Sequence, residues 1–339
     1  MSKLSTLSLL LAGSIASFAP ISAAHALENG DTVRIVVGFS PGGGYDTSAR
    51  LAAPYIQAEL RENGFPDVSV IVENVTGGAG VMGAATVFSA PPDGTTIGIL
   101  EPMDATWQEL LLNAPFKVTE FSFLGQQNID TYGFIVRNDL NIANLDDLVA
   151  RSNEKPFLLS TAGRTSYSTR IFPVLLKQTL AEVGKNVQFD FVNMAGTSEA
   201  RASLARGEAE GLMMGVNPTS IAFVNEGKAK FLFSFLESEY PSAEEVLALP
   251  LELFDPLNKA AASRRFYIAP PGMDQELLTK LQDIFEAVFT SEEFMEKSEE
   301  AGLPVSFISG EETRELVTQL ADFAKRNKEV VEQSIAAGQ

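Results

Sequence analysis

The residues best suited to chemistry lie in Ser40-Pro41-Gly42-Gly43-Gly44-Tyr45-Asp46, between an apolar run and a helical pattern. Glycine strips bulky side chains from the turn, leaving a pocket of unpaired N–H groups to face whatever enters. A carboxylate or another small anion suits such a pocket, because the positive end of a helix dipole lies beside it. The competing reading is a tight turn that needs glycine only for its geometry. Asp46 reads as a helix N-cap whose carboxylate accepts from the amides of Ser48 or Ala49.

A second loop, Thr161-Ala162-Gly163-Arg164-Thr165-Ser166, is also small and polar, and Ala195-Gly196 opens a further one. Arg164 and Arg170 flank a place where a guanidinium can pair bidentately with a carboxylate, or are simply surface arginines at a helix start. Gly78-Ala79-Gly80-Val81-Met82-Gly83 matches the spacing of a dinucleotide loop, with Glu101 at the end of the next strand. Yet this unit is not the first of its sheet, and glycines that let a helix pack closely explain it better. No glycine loop ends in the Lys-Ser or Lys-Thr of a nucleotide-triphosphate site. Glu73, Asp93, Glu101 and Asp104 include possible acid–base pairs, but spacing singles out no two of them; most read as caps or solvated loop ends. Trp107 and Tyr45 are candidates either for cleft walls or for core.

Composition narrows the chemistry. Lys3, the apolar run Leu7–Phe18 and Ala24-His25-Ala26 form a cleavable secretory leader, residues 1–26. The only histidine leaves with it, and the chain contains no cysteine. A mature chain without either has no Ser-His-Asp or Cys-His catalysis, no His- or Cys-ligated metal and no disulfide framework. Loss of Lys3 takes the net charge from −19 to −20, which disfavours nucleic acid and anionic lipid as partners. No cofactor and no metal are expected, and a periplasmic monomer is.

Apolar strands Val33–Phe39, Val68–Val72 and Thr95–Leu100 alternate with helical segments, and Glu101-Pro102-Met103-Asp104 opens the next loop. Phe123–Leu124 and Tyr132–Val136 read as two strands leading away. The pattern then restarts with strand Pro156–Ser160, a helix Ser168–Val183, and strands at Val187–Val192, Glu208–Met214 and Lys230–Phe235. Three helices follow the late strand Phe266–Ala269. Alternation of this kind predicts an α/β fold with parallel sheets and ligands at the strands' carboxyl ends. It divides into residues 27–135 with 236–339 as one lobe and 136–235 as the other, joined by two crossings that make a hinge and a cleft.

Pro41-Gly42-Gly43-Gly44-Tyr45-Asp46 with Arg50, Val72-Glu73-Asn74 before Gly77-Gly78-Ala79-Gly80, Pro91-Pro92-Asp93-Gly94, Ala195-Gly196 and Ala269-Pro270-Pro271-Gly272 occur here in a familiar order. In these motifs, over nearly the whole mature chain, the sequence resembles the extracytoplasmic solute receptors of tripartite tricarboxylate transporters, the Bug family. The resemblance implies a type II periplasmic binding protein whose two lobes close on a small organic acid, a di- or tricarboxylate or an aromatic acid, and deliver it to membrane permease subunits. Carried over, the family's site falls on Ser40, Gly42, Gly43 and Asp46, and on Thr161, Ala162, Gly163, Ser166, Ala195 and Gly196. Phe39, Tyr45, Gly78, Ala79, Arg164 and Thr165 complete the expected lining. Arg164 stands where small residues are commoner, suggesting a second anionic group on the ligand, and Tyr167 stands where histidine is frequent. The alternatives are a periplasmic hydrolase using paired carboxylates and a ligand sensor for a two-component system.

Overall fold

The first strand-loop-helix unit sets the pattern: an apolar strand is closed by Gly38 and a helix starts six residues on. The computed structural model describes residues 27–235, 247–248 and 257–337. The leader expected over residues 1–26 lies outside the described residues. The chain runs β1 (Thr32–Val37), α1 (Gly44–Glu62), β2 (Ser69–Asn74), α2 (Val81–Phe88), β3 (Thr96–Leu100) and α3 (Pro102–Leu112). Then come β4 (Ser122–Arg137), α4 (Leu145–Glu154), β5 (Phe157–Thr161), α5 (Phe172–Glu182), β6 (Phe189–Asn193), α6 (Thr197–Ala205), β7 (Gly211–Gly215), α7 (Pro218–Asn225) and β8 (Ala229–Ser234). The last elements are β9 (Leu247–Ala248), α8 (Leu257–Ala260), β10 (Ala262–Ala269), α9 (Gln275–Thr290), α10 (Glu292–Glu300), β11 (Ile308–Ser309) and α11 (Gly310–Ala336).

Neither sheet is purely parallel, contrary to the expectation from alternation. β1 pairs in parallel with β2 and β3, but β10 runs antiparallel between β3 and β4. In the second sheet β5 lies parallel to β6 and β7, while β4 is antiparallel to β7 and β8. The cause is β4. Where the sequence suggests two separate strands, a single strand of 16 residues runs through both sheets. Its residues up to Thr131 pair with β10, and from Tyr132 onward it pairs with β7 and β8. The polar run Gln126-Gln127-Asn128 looks like a loop in sequence but is buried, because neighbouring strands supply partners. Gln126 Oε1 accepts from Arg264 Nη1 and Gln127 Oε1 from the Tyr267 hydroxyl.

Each sheet has its own core. Val33, Ile35 and Val37 of β1 meet Ala52, Ile56 and Leu60 of α1 and Leu281 and Phe285 of α9. Burying a side chain such as Ile56 contributes roughly 1.5–3 kcal/mol. Phe134, Phe157, Leu159, Phe172 and Phe233 fill the other core. Trp107 is fully buried with that cluster, so it is core and not a wall of the cleft. The expected helix Ser168–Val183 opens instead with a wider π-type turn over Tyr167–Ile171 before α5 begins.

The dinucleotide-like glycines serve packing. A Cβ on Gly83 would lie 2.5 Å from the Gly38 Cα, and one on Gly80 would lie 3.3 Å from the Phe39 ring. Gly83→Ala therefore has to push α2 away from the loop after β1. A loss of about 1–3 kcal/mol in urea unfolding is expected; an unchanged midpoint would show that the contact yields freely.

Candidate ligand-binding site

At the carboxyl ends of β1, β2 and β3 the backbone changes from paired to unpaired. α1 begins at Gly44, with Gly43 as its N-cap, because Thr47 N–H already donates to Gly43 O. That places Asp46 in the first turn and corrects the expectation that it caps Ser48 or Ala49. Its buried carboxylate turns back: Oδ2 accepts from Gly42 N–H at 2.8 Å and from Arg50 Nε at 3.0 Å, and Oδ1 accepts from Asn74 Nδ2 at 2.9 Å. Burial alone would raise this acid. The bond from Arg50, then those from Gly42 and Asn74, outweigh it and hold Asp46 below the ordinary carboxylate range.

This network changes which amides are open. Gly42 N–H is spent on Asp46 and Gly43 N–H on Ser40 O. The N–H groups of Gly44, Tyr45 and Asp46, the first three of α1, are the ones a helix leaves without internal partners. Gly42 still has to be glycine, since its φ is +77°. Gly44 is small for another reason: a Cβ there would stand 2.9 Å from Arg265 Nη2. Arg265 lies under this turn, ion-paired to Asp130 at 3.0 Å with both side chains buried, and its guanidinium faces the Tyr45 ring at 5.1 Å. The Tyr45 hydroxyl donates to Arg264 O at 3.1 Å and shares a bond with Ser263 Oγ, while its ring lies 4.6 Å from that of Phe39.

From the second sheet, Thr161 at the end of β5 donates from Oγ1 to Asn193 Oδ1, and Ala162 N–H donates to Thr169 Oγ1. Ala195 N–H is taken by Glu199 Oε2. Gly163 sits at φ +121° and Gly196 caps α6; a Cβ on either would meet nothing within 4 Å. Arg164 is exposed, and its charge helps lower Arg170 to about 10, burial being the larger cause. Ser166 N–H donates to Gly163 O, and its hydroxyl accepts from Thr169 Oγ1. Thr165 is half-buried in the same loop. Among the expected residues, Phe39 and Ala79 line one recess with Gly38 and Gly80. Gly78 stands next to it at φ +57°. Ala79 itself takes a left-handed φ of 54°, and its carbonyl accepts from Gln108 Nε2.

Of the four carboxylates that spacing left undecided, the fold brings two together. Glu73 pairs with Arg34 and Asp93 accepts from Thr95, both elsewhere. Glu101-Pro102-Met103-Asp104 forms no loop: Pro102 starts α3, and Glu101 caps it by accepting from Asp104 N–H. Both acids line the recess. Asp104 Oδ1 accepts from Tyr167 N–H at 3.0 Å, tying α3 to the turn after the Thr161–Ser166 loop. Burial, then the Asp104 charge, push Glu101 well above its ordinary value. Burial pushes Asp104 up to about 6, against the Tyr167 bond. Sequence reasoning missed Arg265 and Asp130, whose pairing joins residues far apart in the chain. Among the described residues no cluster of three or more metal-ligating side chains occurs, and no helix is long and apolar enough to cross a membrane.

Residues 56–335 match the family model "Tripartite tricarboxylate transporter family receptor". The Cupriavidus necator "UPF0065 protein in gbd 5'region" is 23% identical over 306 residues, covering 88% of this chain and 86% of its own. A TctC solute-binding protein from Polaromonas, solved without ligand, superposes with a TM-score of 0.69 at 19% identity, over 89% of this chain and 98% of that one. MatC from Rhodopseudomonas palustris, solved with bound malate, gives 0.67 at 20% identity, over 89% and 99%. The fold is thus that of the two-lobed type II periplasmic binding proteins.

Proposed function

The chain belongs to the tripartite tricarboxylate transporter receptor family, and from that premise we propose that it captures a small organic carboxylate in the periplasm and presents the closed, loaded form to the permease of such a transporter. The observation that carries this reading is the first turn of α1, whose N–H groups at Gly44, Tyr45 and Asp46 have no helical acceptor. A carboxylate there meets aligned dipoles and no reactive nucleophile. Ser40 adds a hydroxyl from the same loop. The Thr161–Ser166 and Ala195–Gly196 loops cover the guest from the other lobe, with residues 136–235 closing on 27–135 and 236–339. Malate in MatC supports the ligand class. Closure orders both sets of loops around the ligand, so loaded and empty forms differ in shape.

Thermal unfolding of the mature chain against a panel of mono-, di- and tricarboxylates and aromatic acids tests this. A bound acid raises stability by RT ln(1 + [L]/Kd), about 2.7 kcal/mol at a hundredfold excess over Kd, and is recovered unchanged. If no acid in the panel shifts the transition, the proposed ligand class is wrong. Arg164, exposed beside the second-lobe loop, reads a second carboxylate in this scheme. Arg164→Ala is expected to weaken a dicarboxylate roughly tenfold and a matched monocarboxylate much less. Equal losses, measured by calorimetry, would remove Arg164 from that role.

A further inference from the structure

The helix that follows the Thr161–Ser166 loop is fastened at its start from another element. It opens with the π-type turn, in which Ser166 O accepts from both Arg170 N–H and Ile171 N–H, and Tyr167 O from Phe172 N–H. Such turns interrupt regular helix geometry and recur at functional sites. The first N–H groups of any helix lack internal acceptors. Here the first of them, Tyr167 N–H, donates to Asp104 Oδ1 at 3.0 Å, although Asp104 stands 63 residues earlier, in the first turn of α3. A carboxylate in that place also meets the positive end of the helix dipole. Asp104 is itself fixed, because its N–H is held by the Glu101 carboxylate. Met103 and Trp107 pack in the same core as Tyr167 and Phe172, and the Tyr167 hydroxyl donates to Ala260 O at 2.9 Å.

Two residues on, the same turn reaches back into the loop. Thr169, 1% exposed, accepts at Oγ1 from Ala162 N–H and donates to Ser166 Oγ, both at 2.8 Å. Hydrogen bonds and one turn of backbone thus connect the end of β3 to both ends of the loop. We propose that Asp104 is a positioning residue for ligand binding: it holds the turn, and Thr169 carries that hold to the Thr161–Ser166 loop, with neither side chain touching the guest. The inference rests on the receptor reading, in which that loop covers the carboxylate, and adds what fixes it in place. A loop fixed beforehand loses less freedom when the guest arrives, and affinity is higher for it. Burial pushes Asp104 up to about 6, so the ionised side chain lowers stability at neutral pH, where a purely structural cap would raise it.

Isothermal titration of the mature chain and its variants with succinate, citrate and benzoate tests this. Asp104→Leu keeps the shape and removes the acceptor. It is expected to weaken whichever acid the wild type binds best roughly tenfold. Asp104→Asn keeps an oxygen for Tyr167 N–H and is expected to stay within about threefold of the wild type. Thr169→Val should also cost roughly tenfold, and the double variant with Asp104→Leu little more than either alone, because one loop is released once. Hydrogen exchange in the empty protein gives a readout free of ligand. The Ala162 and Ser166 amides should exchange roughly tenfold faster in Asp104→Leu, and those of Gly42 and Gly43 at the wild-type rate. Affinity losses that follow the circular dichroism melting temperature across the variants would mark a merely structural role and overturn the inference. Wild-type affinity in Asp104→Leu, an equal loss in Asp104→Asn, unchanged exchange, or losses that multiply to about a hundredfold in the double variant would each overturn it too, and leave the receptor reading standing. If the wild type binds none of these three nor any acid of the thermal panel, the receptor reading fails and this inference falls with it.

Discussion

Asp130→Ala is expected to lower the unfolding free energy by about 3–5 kcal/mol, read as a shift in urea midpoint at constant slope. Removing one member of a buried ion pair leaves the other charge uncompensated in a medium that solvates it poorly. Asp130 and Arg265 are such a pair, 3.0 Å apart with side chains 2% and 4% exposed. Placement makes the loss larger than a count of bonds suggests. Arg265 lies against Gly44 and the Tyr45 ring, and Asp130 stands on β4 next to the point where that strand changes sheets. A loosened guanidinium therefore disturbs both the α1 turn and the connection between lobes. Replacing both residues together, Asp130→Leu with Arg265→Met, is expected to restore much of the lost stability, because no charge then remains buried. If the double variant is as unstable as the single one, packing and not charge explains the cost. Ligand affinity in the double variant reports separately on what Arg265 does for the site.

Asp104→Asn is expected to stabilise the empty protein at neutral pH, an unusual direction for a buried polar position. The folded protein raises Asp104 from 3.8 to about 6, so between those values the native state holds a proton that the unfolded chain has released. Stability consequently falls as pH rises through this window and stays lower above it. A displacement of this size corresponds to at most about 3 kcal/mol at pH 7, reduced where water in the recess screens the charge. Asparagine keeps an oxygen for Tyr167 N–H and also relieves Glu101 of a neighbouring negative charge. Urea unfolding of both proteins from pH 4 to pH 7 should show the wild type losing stability with rising pH more steeply than the variant. Parallel curves would mean that Asp104 ionises in the fold as easily as in the open chain. A site that stores such a cost when empty gains when a ligand removes it.

The loop after β1 shows how far sequence could go. Three consecutive glycines behind an apolar strand dictate a bare turn leading to a helix, whatever surrounds them, because φ limits and missing side chains are local properties. Which amides stay open was not local. It depended on Asp46 reaching Gly42 N–H with support from Arg50 one turn along α1 and from Asn74, and Asn74 comes from the next strand. The open donors therefore moved from Gly42 and Gly43 to the first turn of α1. The four scattered carboxylates tell the same story. Their spacing gave no reason to prefer Glu101 and Asp104; the start of α3 at Pro102 and the Tyr167 contact did.

By itself the sequence determined the strand-and-helix alternation, the lack of histidine beyond residue 26 and of cysteine throughout, and the glycine loops at strand ends, since composition and nearest-neighbour sterics need no partners. Only the tertiary structure decided that the polar run Gln126–Asp130 belongs to one continuous strand, that Arg265 lies beneath Gly44, and that Glu101 and Asp104 line one recess. The physical reason is that a buried polar group takes its meaning from its partners, and here those partners stand as far as 180 residues away along the chain.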